Sequence, residues 1–392
     1  MNTIRLPIYL LLLTVAGHFA IDFMLSIWPV FKTMAGVDIK VAGFMATIAV
    51  AGGEMMQLFF GKLIDKGYQK PLLFVAPLLG SVAFFFPYVE TPTTFFLFLL
   101  LTCLGSAAFH PTAASIVGSI QERRGLFLGL FQTAGMVGMG IGPLFFVTTH
   151  NLLDGHTAVL AAIPLLVALA VLYIPQKEHS ALAVKPEHAS LRLVLKLFQI
   201  PELRALYFIQ LTTQAIGWSV IFLLPDFLTS RQYPEWMALG GGQAAFTLGA
   251  AASCCPMGYL GDRFSPPKVI FASCLMMIAS LYAMLLAPND MISTTLILLF
   301  CTGWSFGGLT PLALSSGSDY APNNRGLVSA FLLGLVWVAA EAIGIGGGSF
   351  LASSFETEGP TLALMWLGSL LCVGCIFAWK LIASPQKIPE EL

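Results

Sequence analysis

The chain has 392 residues, of which 57% are hydrophobic and 10% charged, and its formal net charge is −1. Soluble domains carry about 25% charged residues, so this composition excludes a large water-facing protein and points to lipid. A nearly neutral chain with no basic stripe or tail also excludes nucleic acid as a partner.

A bilayer core about 30 Å thick takes roughly 20 apolar residues per helix, which leaves room for about twelve spans. Runs of that kind fall at roughly 6–30, 41–60, 71–89, 94–118, 125–149 and 157–174, then at 205–229, 238–260, 268–287, 292–316, 326–352 and 360–383. A single Arg5 precedes the first run without a small-residue cleavage site, so that run reads as a retained span. The longest polar stretch, 175–204, links an N-terminal half, 1–174, to a C-terminal half, 205–392. Within it Leu191, Val194, Leu195 and Phe198 recur at helical spacing opposite Arg192 and Lys196, which predicts a short helix on the cytoplasmic membrane surface.

Across alternate loops, Lys32, Lys40 and Arg231 stand on one side and the other 16 of the 19 basic residues on the opposite side. The positive-inside rule then puts both termini in the cytoplasm of a cell inner membrane. No Lys or Arg is expected within a span core. The seven cysteines all fall in apolar runs and read as small packing residues. Cys372 and Cys375 have CxxC spacing but no His or second pair beside them, so no metal and no cofactor are expected.

The two halves repeat. Gly61-Lys62-Leu63-Ile64-Asp65-Lys66 returns as Gly258-Tyr259-Leu260-Gly261-Asp262-Arg263, a shift of 197. Pro29 meets Pro225, Pro111 meets Pro311, and Arg124-Gly125 meets Arg325-Gly326, at shifts of 196, 200 and 201. A duplicated six-span unit predicts parallel halves related by an axis along the membrane normal, with the site at the midplane between them.

At these residues the chain resembles the major facilitator superfamily along essentially its whole length. Gly61, Leu63, Asp65 and Lys66 match the family's loop signature G-x-L-x-D-[RK], echoed by Gly258, Leu260, Asp262 and Arg263. Gly67 comes one position early, and Ser265 stands where glycine is usual. Gly138, Gly142 and Pro143 resemble the antiporter signature G-x-x-x-G-P, with Phe146 and Val147 in place of the glycines that follow it. Gly17 to Asp22, Phe109-His110-Pro111 and the run from Leu130 to Pro143 look like the fosmidomycin-resistance branch of drug exporters. The arginine that drug antiporters carry in the fourth span falls here at Leu101. The resemblance implies an all-α membrane protein of twelve helices in two six-helix halves, working by alternating access. It also implies that spans one and four face the central cavity, and that the loop bearing Asp65 gates against the start of the eleventh span after Arg325-Gly326. A carboxylate suits that place, because free N–H groups and the helix dipole favour negative charge at a helix N-terminus.

Ionisable groups at bilayer depth are costly and usually face a cavity and serve a function. Here they are Asp22, Glu54 and Glu341, with His18 and His110. His18 and Asp22 stand four apart on one helix and can share a proton, or simply satisfy one another. His110 precedes Pro111, where a kink can turn it to the cavity or leave it bonded to local backbone. Glu54 reads equally as a second proton site or as the partner of a backbone donor. Glu341 lies amid Gly344, Gly346, Gly347 and Gly348, where close helix approach can bury it. The repeat places Gln214 opposite His18 and Trp218 opposite Asp22, which assigns protons to the first half and solute contacts to the second.

These residues point to proton-coupled export of a small organic solute or drug, and not to an enzyme. Uptake of a nutrient by proton symport is the alternative, and a non-transporting membrane sensor a distant one. A metal enzyme built on His18, His110 and Asp22 would need a further strong ligand and a supporting second shell. With nothing permanently positive at cavity depth, neutral, zwitterionic, amphipathic or cationic solutes fit better than anions. The repeat already supplies two halves around one cavity, so a monomer in the lipid bilayer is expected.

Overall fold

In hydrocarbon every backbone N–H and C=O must be satisfied within the chain, which leaves the helix as the spanning element for runs of this length. The computed structural model describes residues 5–119, 124–174, 196–321 and 325–383, and among these residues it is all-helical. Helix α1 runs over Arg5–Leu25 and, after a turn at Ser26, over Ile27–Met34. It is followed by α2 (Ile39–Asp65), α3 (Gln69–Gly80, extended as a 3-10 helix over Ser81–Tyr88), α4 (Pro92–Ser119), α5 (Arg124–Leu152) and α6 (Ala162–Leu172). The second set is α7 (Pro201–Ser230), α8 (Gly242–Phe264), α9 (Pro266–Leu286), α10 (Ile292–Tyr320), α11 and α12. Helix α11 runs from Arg325 to Ser353 through π-helical turns at Ala330–Leu335 and Ala342–Gly347, and α12 comprises Gly359–Gly368 and Leu371–Ala383.

Ten of these helical stretches are long and apolar enough to cross a membrane; the shorter apolar Thr157–Leu172 and the more polar α8 complete the twelve among the described residues. The expected surface helix over 191–198 lies largely outside the described residues, of which Leu197–Gln199 forms a 3-10 turn. The first span extends to Met34, beyond its expected end, and carries Lys32, whose side chain is 1% exposed. Lys32 lies in the last turn of this helix, outside the span core in which no basic residue is expected. The four-carbon stem packs in the apolar helix, while the ammonium donates to Thr33 Oγ1 at 3.3 Å.

The chain divides into two compact units. One comprises Met1–Asp38, Met45–Pro186 and Leu239–Ala244, and the other Ile39–Phe44, Glu187–Ala238 and Ala245–Leu392. In the first unit an aromatic core gathers Phe23, Trp28, Phe31, Phe84, Phe86 and Phe95. In the second, Leu203, Leu206, Leu309, Val328, Phe331 and Val336 form the core between α7, α10 and α11. Each unit lays a phenylalanine of its fourth helix across a glycine of its first: Phe109 over Gly17, and Phe306 over Gly217. Large apolar side chains such as Phe44, Met55, Leu166 and Trp366 remain outward, as a hydrocarbon solvent permits.

Candidate functional site

The first unit brings three of the expected residues together. His18 and Asp22 share one face of α1, and His110 reaches them from α4. His18 Nε2 lies 3.3 Å from Asp22 Oδ2, His110 Nε2 3.3 Å from Asp22 Oδ1, and the two imidazole Nε2 atoms stand 3.1 Å apart. His18 and Asp22 are buried, whereas the His110 side chain keeps 22% of its surface exposed and forms the open edge of the group.

The surroundings hold the rings in place. His18 Nδ1 faces the Phe131 carbonyl oxygen at 2.7 Å, and the Phe131 ring stacks on His18 with centroids 4.0 Å apart. A carbonyl can only accept, so this nitrogen donates, and Nε2 is the ring atom that faces Asp22 and His110. His110 Nδ1 lies 3.0 Å from the Ser106 carbonyl oxygen and 2.9 Å from Ser106 Oγ, one turn earlier on the same helix. Both readings of His110 therefore hold: it is bonded to local backbone, and it also meets the Asp22 pair.

Helix α5 closes over this group because it is stripped of side chains on the facing side. A Cβ at Gly135 would stand 2.5 Å from both Asp22 Oδ2 and His18 Nε2. One and two turns on, Cβ atoms at Gly138 and Gly142 would strike the carbonyls of Phe19 and Phe23. The glycines of the antiporter-like motif thus let α5 lie directly on α1, with Pro143 following inside the helix.

Glu54 on α2 accepts from Gln57 Nε2 at 2.7 Å and lies within electrostatic range of His110. Its hydrogen-bond partner is an amide side chain rather than the backbone donor considered from sequence. In the second unit Glu341 is buried on α11, immediately before the π turn at Ala342–Gly347. The expected close approach occurs there: a Cβ at Gly344 would strike the Ala215 carbonyl on α7.

Gln214 donates from Nε2 to Thr310 Oγ1 on α10 at 2.8 Å, and the Trp218 indole N–H, one turn on, has no partner among the described residues. One turn before Gln214 stands Gln210, fully buried, with neither amide atom hydrogen-bonded. The spacing i, i+4, i+8 from Gln214 and Trp218 is the only sequence signal for it. Phe131, Ser106 and Gly135 carry no such signal, since two of them act through backbone carbonyls and the third through an absent side chain.

In the loop motif Asp65, Lys66 and Asp262 are exposed, and Arg263 bonds Tyr259 Oη at 3.3 Å. Nothing lies within 4 Å of a Cβ placed at Gly61 or Gly258. The side chains of Arg325 and Gly326, where Asp65 is expected to dock, lie outside the described residues. Gly67 and Ser265 both take positive φ, +87° and +75°, although only one of them is glycine.

Twelve membrane-crossing helices from two repeated halves, with ionisable side chains buried at span depth, define a polytopic membrane transporter rather than an enzyme. The family model of the Major Facilitator Superfamily matches residues 10–242 and 240–391, and the chain belongs to that family. It is similar to multidrug resistance protein MdtG of Klebsiella pneumoniae (strain 342), with 27% identity over 322 residues covering 78% of this chain and 71% of the relative. The MdtG protein of Rahnella sp. (strain Y9602) is 26% identical over 332 residues, with the same coverage of 78% and 71%. In fold the chain matches a bacterial homolog of the human lysosomal transporter Spinster in an inward-facing, unoccupied conformation, with TM-score 0.75, 14% identity and 96% coverage of both chains. The nucleoside transporter NupG matches with TM-score 0.76 and 14% identity over 98% of this chain and 99% of its own.

Proposed function

We propose that this transporter exports a small organic solute in exchange for protons by alternating access across the inner membrane, as a monomer with both termini in the cytoplasm. Its working halves are 1–174 and 205–392, joined by the cytoplasmic linker 175–204. The observation that carries the coupling is the meeting of His18, Asp22 and His110 inside the first unit. With the ring neutral and its hydrogen at Nδ1, His18 Nε2 and Asp22 Oδ2 would be two acceptors only 3.3 Å apart. Two facing acceptors repel unless a proton lies between them, so the group holds one proton when closed and can surrender it when the His110 edge is wetted. Glu54, which interacts electrostatically with His110, is assigned the next proton-carrying step. Glu341 is assigned a second proton-linked role in the other unit.

Export is favoured over uptake by the resemblance to fosmidomycin-resistance exporters and by the multidrug relatives. Gln214 and Trp218 offer an amide and an indole to the solute, and the acidic, aromatic setting of the first unit suits neutral, zwitterionic or cationic molecules. Lys32 does not alter this at the triad, since ten residues separate it from Asp22, about 15 Å of helix. The loop with Gly61, Asp65, Lys66, Gly258, Asp262 and Arg263 acts as the gate.

The test is purified protein in liposomes with a trapped pH dye, given neutral, cationic and anionic solutes in turn. Solute-dependent proton movement in the wild type, with at least a tenfold loss in Asp22→Asn and retained exchange of labelled solute, is the expected result. Solute crossing without any proton movement in the wild type would make the protein a uniporter and remove the coupling role.

A further inference from the structure

We propose that His18, Asp22 and His110 also form a binding site for one divalent transition-metal ion of the Zn2+ class, entered past the exposed edge of His110. The inference does not depend on proton-coupled export, because the resting protein would bind the ion without solute or gradient.

Two imidazole nitrogens and a carboxylate already stand close together, near the spacing such an ion needs. Nitrogen and oxygen ligands sit about 2.0–2.1 Å from a tetrahedral Zn2+, which sets neighbouring ligands about 3.3–3.4 Å apart. The two Nε2 atoms are 3.1 Å apart, and each lies 3.3 Å from a different Asp22 oxygen, His18 from Oδ2 and His110 from Oδ1, so the carboxylate would turn slightly to present one oxygen or would bind through both. The three residues come from two different helices, and all their ligand atoms lie within 4.8 Å of one another. Two imidazoles and one carboxylate are the borderline donor set that suits Zn2+, Co2+ or Ni2+, whereas Mg2+ and Ca2+ demand oxygen ligands.

The second shell that a metal site requires is present as well. Metal-binding histidines donate their other ring N–H to a carbonyl or carboxylate, which fixes the tautomer and aims the lone pair at the ion. His18 does so to the Phe131 carbonyl, and His110 has the Ser106 carbonyl at the same position. When both rings are neutral with their hydrogens at Nδ1, they confront lone pair with lone pair at 3.1 Å. A cation between them and Asp22 satisfies all three at once. Glycine at position 135 keeps the remaining side clear, since a Cβ there would intrude to 2.5 Å from two of the donors. The fourth position is left to water or to a donor group on a solute.

The experiment uses the full chain, purified in detergent, stripped with a chelator and titrated with Co2+ and then Zn2+ alone. One ion per chain is expected, with the intense visible absorption of tetrahedral Co2+ that Zn2+ bleaches. His110→Gln is expected to weaken binding about tenfold or more, while His156→Gln, an exposed loop residue, leaves it unchanged. Gly135→Ala keeps every donor and narrows the space, so weakened binding in that variant supports the site even if His110→Gln folds poorly. No retained ion, or an ion bound equally by wild type, His110→Gln and Gly135→Ala, would overturn the proposal. Proton flux is recorded separately on chelator-treated protein, so a failure of metal binding and a failure of coupling are different results.

Discussion

A buried amide without a hydrogen-bond partner is expensive, and among the described residues Gln210 has none for either end of its side chain. Each unmade hydrogen bond of this kind costs about 1–3 kcal/mol, so Gln210→Met, which keeps the length of the side chain, is expected to raise thermal stability. Melting of the purified variant measures that, and solute binding measured alongside separates two roles. If stability rises while solute affinity falls, Gln210 belongs with Gln214 and Trp218 as a solute contact; unchanged affinity leaves it a packing residue. Ser265 presents a related cost in the backbone. Its φ of +75° and ψ of 134° lie outside the regions L-residues favour, and Pro266 after it disfavours the helical alternative. Ser265→Gly relieves strain of about 1–3 kcal/mol against about 0.5–1 kcal/mol of extra chain entropy. A melting temperature at or below that of the wild type would show that the loop is not strained at this residue.

At the scale of elements, the glycines of α5 and those of the gating loops play opposite parts. Gly138 lies against the Phe19 carbonyl, so a larger residue forces α5 away from α1 and carries Phe131 and Gly135 off His18. Gly138→Val is therefore expected to lower folded yield severely, as overpacking of a tight helix contact does. Gly61 faces open space, so Gly61→Ala should leave stability within about 0.5 kcal/mol of the wild type. If Gly61→Ala also loses transport at full yield, the motif glycine serves a conformation other than the one described. What could be read from sequence follows the same division. Spans, repeat and loop motif are local patterns, so hydropathy and spacing reveal them, as does the His18–Asp22 pair at i, i+4. The third member, His110, is 92 residues from His18, and only the family resemblance placed it near. The carbonyls of Phe131 and Ser106 are invisible to any reading of residue types, because every residue carries one. Lys32 was hidden by ending the first hydrophobic run at 30, before the helix itself ends at Met34.

For the whole molecule, the proposed orientation rests on charge. Of 19 basic residues only Lys32, Lys40 and Arg231 fall on one side of the spans. Lys32 is buried in α1, so its bearing on that side is weakened, while Lys40 and Arg231 stand at the ends of helices there. Against them stand Lys62, Lys66 and Lys70 around the α2–α3 turn and Arg263 and Lys268 around the α8–α9 turn. A charge at the bilayer centre costs about 2.5–3.5 kcal/mol on insertion scales, so the positive-inside rule predicts that loops this basic stay on the cytoplasmic side. The seven native cysteines are free and lie in the apolar runs, so they can be replaced by serine or alanine to give a silent background. In that background a single cysteine at Lys66 is expected to resist a membrane-impermeant thiol reagent in intact cells, while one at Gln232, at the tip of the opposite loop, reacts. The reversed pattern would invert the topology, and with it the direction in which His110 would have to release its proton.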